Sequence, residues 1–367
     1  MADAKETFSP DWISHPGDTI LDLLEERDWS QADFATRMGY TTKHISQLLT
    51  GKVPITLDAA LKLERVLGGT VRFWLNREAQ YRESLIRIKE SEKLKEWTNW
   101  LDELPVKNLM DSNIIDKNRL TENNKPKTVN NMLRFFGVAS PEEWRTHYKD
   151  MAVAFRSASK EHNIGAVSAW LRLGEIETEK DSMPKYDAAK FKKALYQIRN
   201  LTLKSPEEFI PEMKDLCRKA GVSFILVPSI PRAHVSGATR WLNPHKPIIQ
   251  MSLYGKANDK FWFTFFHESA HLLKHDKKTV FLDELLSLNY GDSKEEIEAN
   301  EWVRNFLIPS KFVHQLPKIK NSKKEVSEFA SKIGIHPGIV VGRLQHDGLI
   351  DQSWMNDLKE YYDFSLK

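Results

Sequence analysis

The sequence predicts an α+β protein that is mostly α: an all-helical N-terminal domain, a helical middle region, and a C-terminal domain with a small β-sheet. Three observations carry this. Apolar residues recur at helical spacing through most of the chain. Residues 221–253 change character, opening on the β-branched apolar run Gly221–Pro228. The stretch Phe261-Trp-Phe-Thr-Phe-Phe-His-Glu-Ser-Ala-His-Leu-Leu-Lys-His275 then reads as a helix that is apolar all round, and therefore buried. The boundaries fall at 1–85, 86–215 and 216–367.

The 367 residues are enough for about two or three domains. An apolar content of 41% excludes a disordered chain. A net charge of +3 is too small to argue for nucleic acid by itself, so any basic surface must be local. Cys217 is the single cysteine, which rules out an intramolecular disulfide and a Cys-rich zinc site. A metal would have to be held by histidine and carboxylate. The first residues lack an apolar signal core, and no run reads as membrane-spanning. A soluble protein of a reducing cytoplasm is the expectation.

From Pro16 to about Tyr81 the chain reads as four or five short helices. Asp18-Thr19 precede the apolar Ile20, Leu21, Leu23 and Leu24. Ser30 is an N-cap with Asp33 three residues on. Gly39 suits a tight turn between two helices. The second of these starts at Thr41 or Thr42. Ile45, Leu48 and Leu49 face inward, leaving Thr41, Thr42, Lys43, His44, Ser46 and Gln47 outside. Hydroxyl, amide and basic groups on one face are the chemistry that reads base edges and grips phosphates. Helix, glycine turn and polar-faced helix make a helix-turn-helix. Lys43 and Lys52 are the expected phosphate contacts. A small bundle with a merely solvated polar face is the alternative.

Residues 15–85 resemble the HigA/VapI type of Xre-like helix-turn-helix antitoxins. The resemblance lies in His15-Pro-Gly-Asp-Thr-Ile-Leu21, Trp29-Ser-Gln31, His44-Ile-Ser-Gln-Leu-Leu-Thr-Gly51, Pro54-Ile-Thr56 and Phe73-Trp-Leu-Asn76. It implies binding of double-stranded operator DNA, a homodimer, and a cognate toxin as partner.

In the middle, Ser84–Trp100 reads as a charged helix leaving the first domain, and Asp111–Lys127 as a linker. Helical spacing returns at Val129–Phe136. Ser140-Pro-Glu-Glu143 starts another helix, and Ser205-Pro-Glu-Glu208 starts a later one. Ala152–Glu179 and Lys190–Asn200 are also helical by spacing. No chemical motif stands out, and the region reads as a scaffold.

Gly221–Pro228 is a buried strand. Gly237–Leu242 and Pro247–Leu253 are two strands joined by a turn. In the following helix, His267-Glu268-x-x-His271 sets two imidazoles one turn apart on one face, in reach of one metal ion. Glu268 beside them is the candidate general base. The third ligand should lie downstream, where Glu295, Glu296, Glu298 and Glu301 open a helix. Glu296 shares a face with Ala299, Asn300 and Val303, and Glu298 lies on another side. Glutamates that merely decorate an exposed first turn are the alternative.

Residues 221–315 resemble the ImmA/IrrE metallopeptidases in His267 to His271, in Glu296-Ile-Glu-Ala-Asn-Glu-Trp302, and in Leu307-Ile-Pro309. Ser269-Ala270 depart from the Leu-Gly frequent in that family. The resemblance implies a zincin-like fold, a zinc ion (Zn2+) held by His267, His271 and Glu296, and Glu268 as the base of an endopeptidase. It implies no ligand role for His275. Arg240, Tyr290 and His336 are candidates for the oxyanion partner. The expected protein is a DNA-binding antitoxin or regulator whose zinc peptidase cleaves itself or a partner. The alternative is a binding-only repressor whose zinc site is structural or sensory.

Overall fold

The computed structural model describes residues 14–148, 163–179, 183–252, 257–275, 281–284 and 294–362. It falls into two compact units. One runs to Thr98 and includes Glu122–Lys127; the other comprises Asn99–Thr121 and the chain from Thr128.

Among its described residues, the first unit holds the helices α1 (Pro16–Glu25), α2 (Gln31–Met38), α3 (Thr42–Leu49), α4 (Leu57–Leu67) and α5 (Val71–Glu96). Ile20, Phe34, Ile45, Leu63 and Trp74 pack at its centre. α1 begins earlier than its apolar spacing indicates. His15 is the N-cap: its Nδ1 accepts the Gly17 N–H at 2.7 Å, and Asp18 accepts the His15 N–H at 3.0 Å. Pro16 at the first helical position costs nothing there, because that N–H has no helical partner. Ser30 Oγ accepts the Asp33 N–H, and Gly39 takes the left-handed conformation (φ 64°) that the α2–α3 turn requires. α5 passes residue 85 without a break. It contains neither Gly nor Pro, and Arg82–Glu78 and Arg87–Glu83 pairs, each at 2.6 Å, brace its polar surface.

The second unit opens with α6 (Val106–Asp111), α7 (Lys125–Phe136, which starts in the first unit) and α8 (Pro141–His147). Trp100, Phe136, Trp144 and Tyr148 form an aromatic cluster among them. α9 (Ile164–Glu179) follows; the reading of helix from Ala152 lies before it, outside the described residues. Next come α10 (Ala188–Asn200) and α11 (Pro206–Lys219), the latter opened by a Ser205–Glu208 capping box.

Among the described residues the sheet has four strands, β1 (Ser223–Val227), β2 (Val235–Asn243), β3 (Lys246–Ser252) and β4 (Phe281–Glu284), in spatial order β1-β3-β2-β4. β1 runs parallel to β3, and the other pairs are antiparallel. Between β3 and β4 lies α12 (Asn258–Lys274). α13 (Lys294–Leu307), the single turns α14 (Ser310–Val313) and α15 (Leu316–Ile319), α16 (Lys323–Ile333) and α17 (Pro337–His346) complete the unit.

Strand alternation divides the sheet's neighbours. Gln250 Nε2 donates to Trp170 O at 2.6 Å and Arg240 Nη2 to Leu171 O at 2.7 Å, so these residues face α9. Phe224, Ile249 and Met251 face the other way and join Phe265 and Phe266 of α12 in the main core. Phe191 and Leu195 of α10 and Phe209, Met213 and Cys217 of α11 belong to that same core. The boundary read at 215–216 therefore crosses α11, whose apolar face is buried against the sheet and α12. The Arg199 guanidinium donates to the carbonyls of Phe306, Leu307 and Ile333, tying together the C-terminal ends of α13 and α16.

Candidate metal centre

α12 is held from several sides, and this fixes its polar residues. β2 crosses it at Gly237 and Thr239. Thr239 Oγ1 donates to Glu268 O at 3.0 Å, and a Cβ on Gly237 would lie 2.9 Å from the Glu268 side chain. Only glycine lets the strand pass this close. His267, Glu268 and His271 are at most 2% exposed.

α13 packs against α12 and brings Glu296 to the two imidazoles. His267 Nε2 lies 3.0 Å from one Glu296 oxygen, His271 Nε2 lies 3.3 Å from the other, and the two Nε2 atoms are 2.9 Å apart. Among the described residues these three are the one His/Cys/Asp/Glu group whose ligand atoms converge, all within 4.8 Å of one another. Donors bound to a tetrahedral ion at about 2.0–2.1 Å stand about 3.3 Å apart, so the triangle fits one ion with little adjustment.

The electrostatics suit a cation. Burial pushes the His271 pKa down to about 4, against a smaller upward pull from Glu296. Burial alone would raise the Glu296 pKa, but hydrogen bonds with His267 and His271 outweigh it and hold the carboxyl well below its usual range. At neutral pH the cluster offers a carboxylate beside a neutral His271 imidazole, and a metal needs its ligands in those deprotonated forms.

Three contacts at this site escape the sequence reading. Asn300 Oδ1 lies 3.0 Å from His267 Nδ1. His275 Nδ1 lies 2.9 Å from His271 Nδ1, behind that ring and outside the triangle. Glu298 reaches His275 Nε2 at 3.5 Å. Asn300 is four residues after Glu296, and His275 four after His271, so helical spacing is the signal that points to them. The oxyanion candidates fare otherwise. Arg240 points to the α9 side, bonded to Gln250 and Leu171. His336 caps α17 and meets Asn258 at the start of α12. Tyr290 lies outside the described residues.

In the first unit Thr41 caps α3, its Oγ1 accepting the His44 N–H at 3.1 Å. Thr41, Thr42, Lys43 and Ser46 are exposed, as is Lys52 just beyond the helix. His44 and Gln47 are half-buried, the His44 ring lying against Tyr40. All but Lys52 belong to α3 or its cap, which keeps Ile45, Leu48 and Leu49 inside. No described helix is long and apolar enough to cross a membrane.

Comparison with known proteins follows the same division. Residues 20–74 match the helix-turn-helix family, and residues 229–345 match the Peptidase_M78 family, the IrrE N-terminal-like domain. Over 61 residues, 17% of this chain, it is 41% identical to the uncharacterized HTH-type transcriptional regulator YddM of Escherichia coli (strain K12), covering 65% of that protein. Two solved structures are similar over 23% of the chain. One is a candidate antidote protein of a plasmid maintenance system from Nostoc punctiforme (30% identity, 91% of its length, TM-score 0.22). The other is a HigA-family addiction module antidote protein from Coxiella burnetii (28% identity, 92% of its length, TM-score 0.21). This chain joins an N-terminal helix-turn-helix DNA-binding domain of the Xre-like kind to a C-terminal peptidase-family domain of the IrrE N-terminal-like type.

Proposed function

We propose that the protein is a DNA-binding regulator or antitoxin that carries a zinc-dependent endopeptidase. The observation that carries the enzymatic half is the meeting of His267, His271 and Glu296 beside Glu268. Two nitrogens and one carboxylate are the donor set of a catalytic zinc site, which leaves a position open. Zinc bound there would polarise a substrate carbonyl and bring the pKa of a bound water to about 7. Glu268 is the group to take a proton from the attacking water and return it to the departing amine. The sheet supports a peptide substrate. Its terminal strand β4 follows α12 and pairs with β2, the strand that crosses Glu268, and extended peptides add to such edges.

Operator binding through Thr41, Thr42, Lys43, His44, Ser46, Gln47 and Lys52 is the other half of the reading, supported by their place on and just beyond α3. A homodimer and a cognate toxin follow from the resemblance to antitoxins, and residence in the cytoplasm from DNA as ligand. The substrate is the chain itself or a partner protein.

The test is metal content and peptide cleavage side by side. Wild type purified with zinc should hold about one ion per chain. His267→Ala and Glu296→Ala should lose it. Glu268→Gln should keep the ion and lose cleavage of the chain or of a casein-type substrate. A wild type that binds no zinc would end the enzymatic half and leave the DNA-binding half standing.

A further inference from the structure

The tripeptide His-Pro-Gly occurs twice, as His15-Pro16-Gly17 and as His336-Pro337-Gly338. It opens α1 in the first unit and α17 in the second, and the two turns are built alike. The histidine is the N-cap, with extended backbone, and proline takes the first helical position. Nδ1 of the ring accepts the glycine N–H, at 2.7 Å for His15 and 3.0 Å for His336. A backbone N–H can only donate, so each Nδ1 is unprotonated, and the neutral ring carries its proton on Nε2.

Each turn is also pressed against the helix that bears its unit's candidate chemistry. In the first unit a Cβ on Gly17 would strike the carbonyl of Leu49, the last residue of α3, and one on Gly51 would strike the His15 ring. In the second unit a Cβ on Gly338 would lie 2.5 Å from Oδ1 of Asn258, the buried first residue of α12. The Asn258 side-chain amide donates to His336 Nδ1 at 2.7 Å, and its backbone N–H donates to Glu360 O at 2.8 Å. One lone pair of His336 therefore holds a donor from α17 and a donor from α12.

We propose that these two turns are pH-sensitive clasps, the first on α3 and the second on α12, which hold while the imidazole is neutral and let go when it is protonated. A charged ring donates from both nitrogens, so it meets the glycine N–H with an N–H of its own. Its charge also opposes the positive end of the helix that it caps. Burial disfavours the charge on both rings and is the largest influence on each. Around His15, Asp18 and Glu78 favour the charged ring, Arg82 and Arg77 oppose it, and Tyr81 lies edge-on. Around His336, Glu360 stands 3.8 Å from Nε2 and favours the charge, while the adjacent Asp259 and Lys359 are paired with each other at 2.6 Å. Both rings lie below the ordinary imidazole value of about 6.5, so the clasps are closed above that pH and open as acid takes the solution through the lowered values. The consequence for zinc rests on the metal-centre reading.

The experiment uses the full metal-free chain from pH 8 to pH 5, with 15N-labelled histidine for spectra and deuterium exchange for amide protection. At pH 8 both rings should show the Nε2–H tautomer. As each ring titrates, protection should fall at its own helix: the Thr50 and Gly51 amides that close α3 with His15, and the Asn258 and Phe261 amides of α12 with His336. The fall should be about 2–30-fold, the range for a lost helix cap. Asn caps a helix and does not titrate. His336→Asn should abolish the pH dependence at α12 and leave that at α3, and His15→Asn should do the reverse. In zinc competition against a chelator, wild type should lose more affinity than His336→Asn between pH 8 and pH 5.5, because the two proteins share the same metal ligands. Either wild-type ring protonated at Nδ1 at pH 8 would overturn the proposal, and that spectrum needs no variant to fold. Acid loss of protection that is equal in wild type and in the Asn variants would overturn it too. Protection that follows His336 in a chain taking up no zinc would sustain the clasp and defeat the metal-centre reading, so the two failures are distinct.

Discussion

Helices α3 and α12 each carry the candidate chemistry of their unit, and they carry it on opposite sides of the same physical rule. α3 turns Ile45, Leu48 and Leu49 into a core and leaves Thr42, Lys43 and Ser46 to water. α12 buries the chemistry itself, with His267, Glu268 and His271 as enclosed as Phe265 and Phe266 beside them. Polar groups on α3 are solvated with or without a ligand, so folding and recognition are nearly independent there. Polar groups on α12 have left water and must be satisfied inside the protein, so site and fold depend on each other. The difference predicts where substitutions and ligands change stability and where they change binding alone.

The largest effect should come from the ion. A ligand that binds only the folded state at about 100 times its Kd adds about 2.7 kcal/mol, which for a unit of this size raises the melting temperature by roughly 5–10 °C. Zinc should therefore shift the melting of the second unit upward by that amount in wild type and leave Glu296→Ala unmoved. Calorimetry with and without chelator reads this directly. Equal shifts in both proteins would place the stabilising ion elsewhere.

Gly237 sharpens the contrast within the buried site. A Cβ there would stand 2.7 Å from Thr264 Cγ2 and 2.9 Å from Glu268, on a strand hydrogen-bonded along both edges. Forcing atoms into a packed site costs about 1–3 kcal/mol. Gly237→Ala should lower the denaturant midpoint accordingly, and it should impair cleavage by displacing Glu268 while the three donor residues keep their ion. Unchanged stability would mean that β2 yields more easily than its pairing indicates.

Much of this contrast is legible in the sequence, and the gaps have a common cause. His267, His271 and Glu268 follow from spacing on one helix. Ser30, Thr41 and Gly39 follow from the chemistry of helix ends, which is local. Glu296 needs a second helix to be brought to the first, and spacing can only narrow the choice. Contacts between helices stay hidden, because periodicity says that a face is buried and not against what. Hence Asn300 behind His267, the His275–Glu298 pair and the membership of α11 in the main core appear only in three dimensions. Residue 85 reads as a boundary because the resemblance to the helix-turn-helix antitoxins ends there. Yet α5 needs no buried stripe to continue where nothing in its sequence breaks it.

A smaller effect tests the exposed unit by pH. Burial holds the His15 imidazole below its ordinary value; Asp18 and Glu78 pull it up, and Arg82 and Arg77 pull it down. Tyr81 lies edge-on to the ring. Between that lowered value and the unfolded value of about 6.5, the unfolded chain binds a proton that the folded chain refuses. Stability from this group is complete above about pH 6.5 and falls as the solution is acidified. The structural reason is direct: a protonated Nδ1 cannot accept the Gly17 N–H that caps α1. Asn in that place still caps but does not titrate. His15→Asn should flatten the acid side of the first unit's stability profile, read as the difference between the two proteins from pH 8 to pH 5. Parallel profiles would assign the pH dependence to another group.

The smallest effect on the fold should come from Lys43 and Lys52, and its smallness is the point of the comparison. Both are exposed, and the cap and core of α3 depend on other residues: Thr41 holds its start, and Ile45, Leu48 and Leu49 its inner face. Replacing both by Ala should change stability by no more than about 0.5 kcal/mol. Binding should behave differently. Each phosphate that is no longer neutralised reduces the slope of log affinity against log salt by about 0.9, so the double variant should lose nearly two units of slope and bind all sequences more weakly. Thr42 and Ser46 variants should instead alter preference among sequences and leave the slope alone, since base edges and not phosphates are their expected partners. Titrations of operator and random duplex at several salt concentrations separate these results. A double lysine variant with unaltered slope would put the phosphate contacts on another face, while a loss of stability would show that α3 is tied to its fold in the way α12 is.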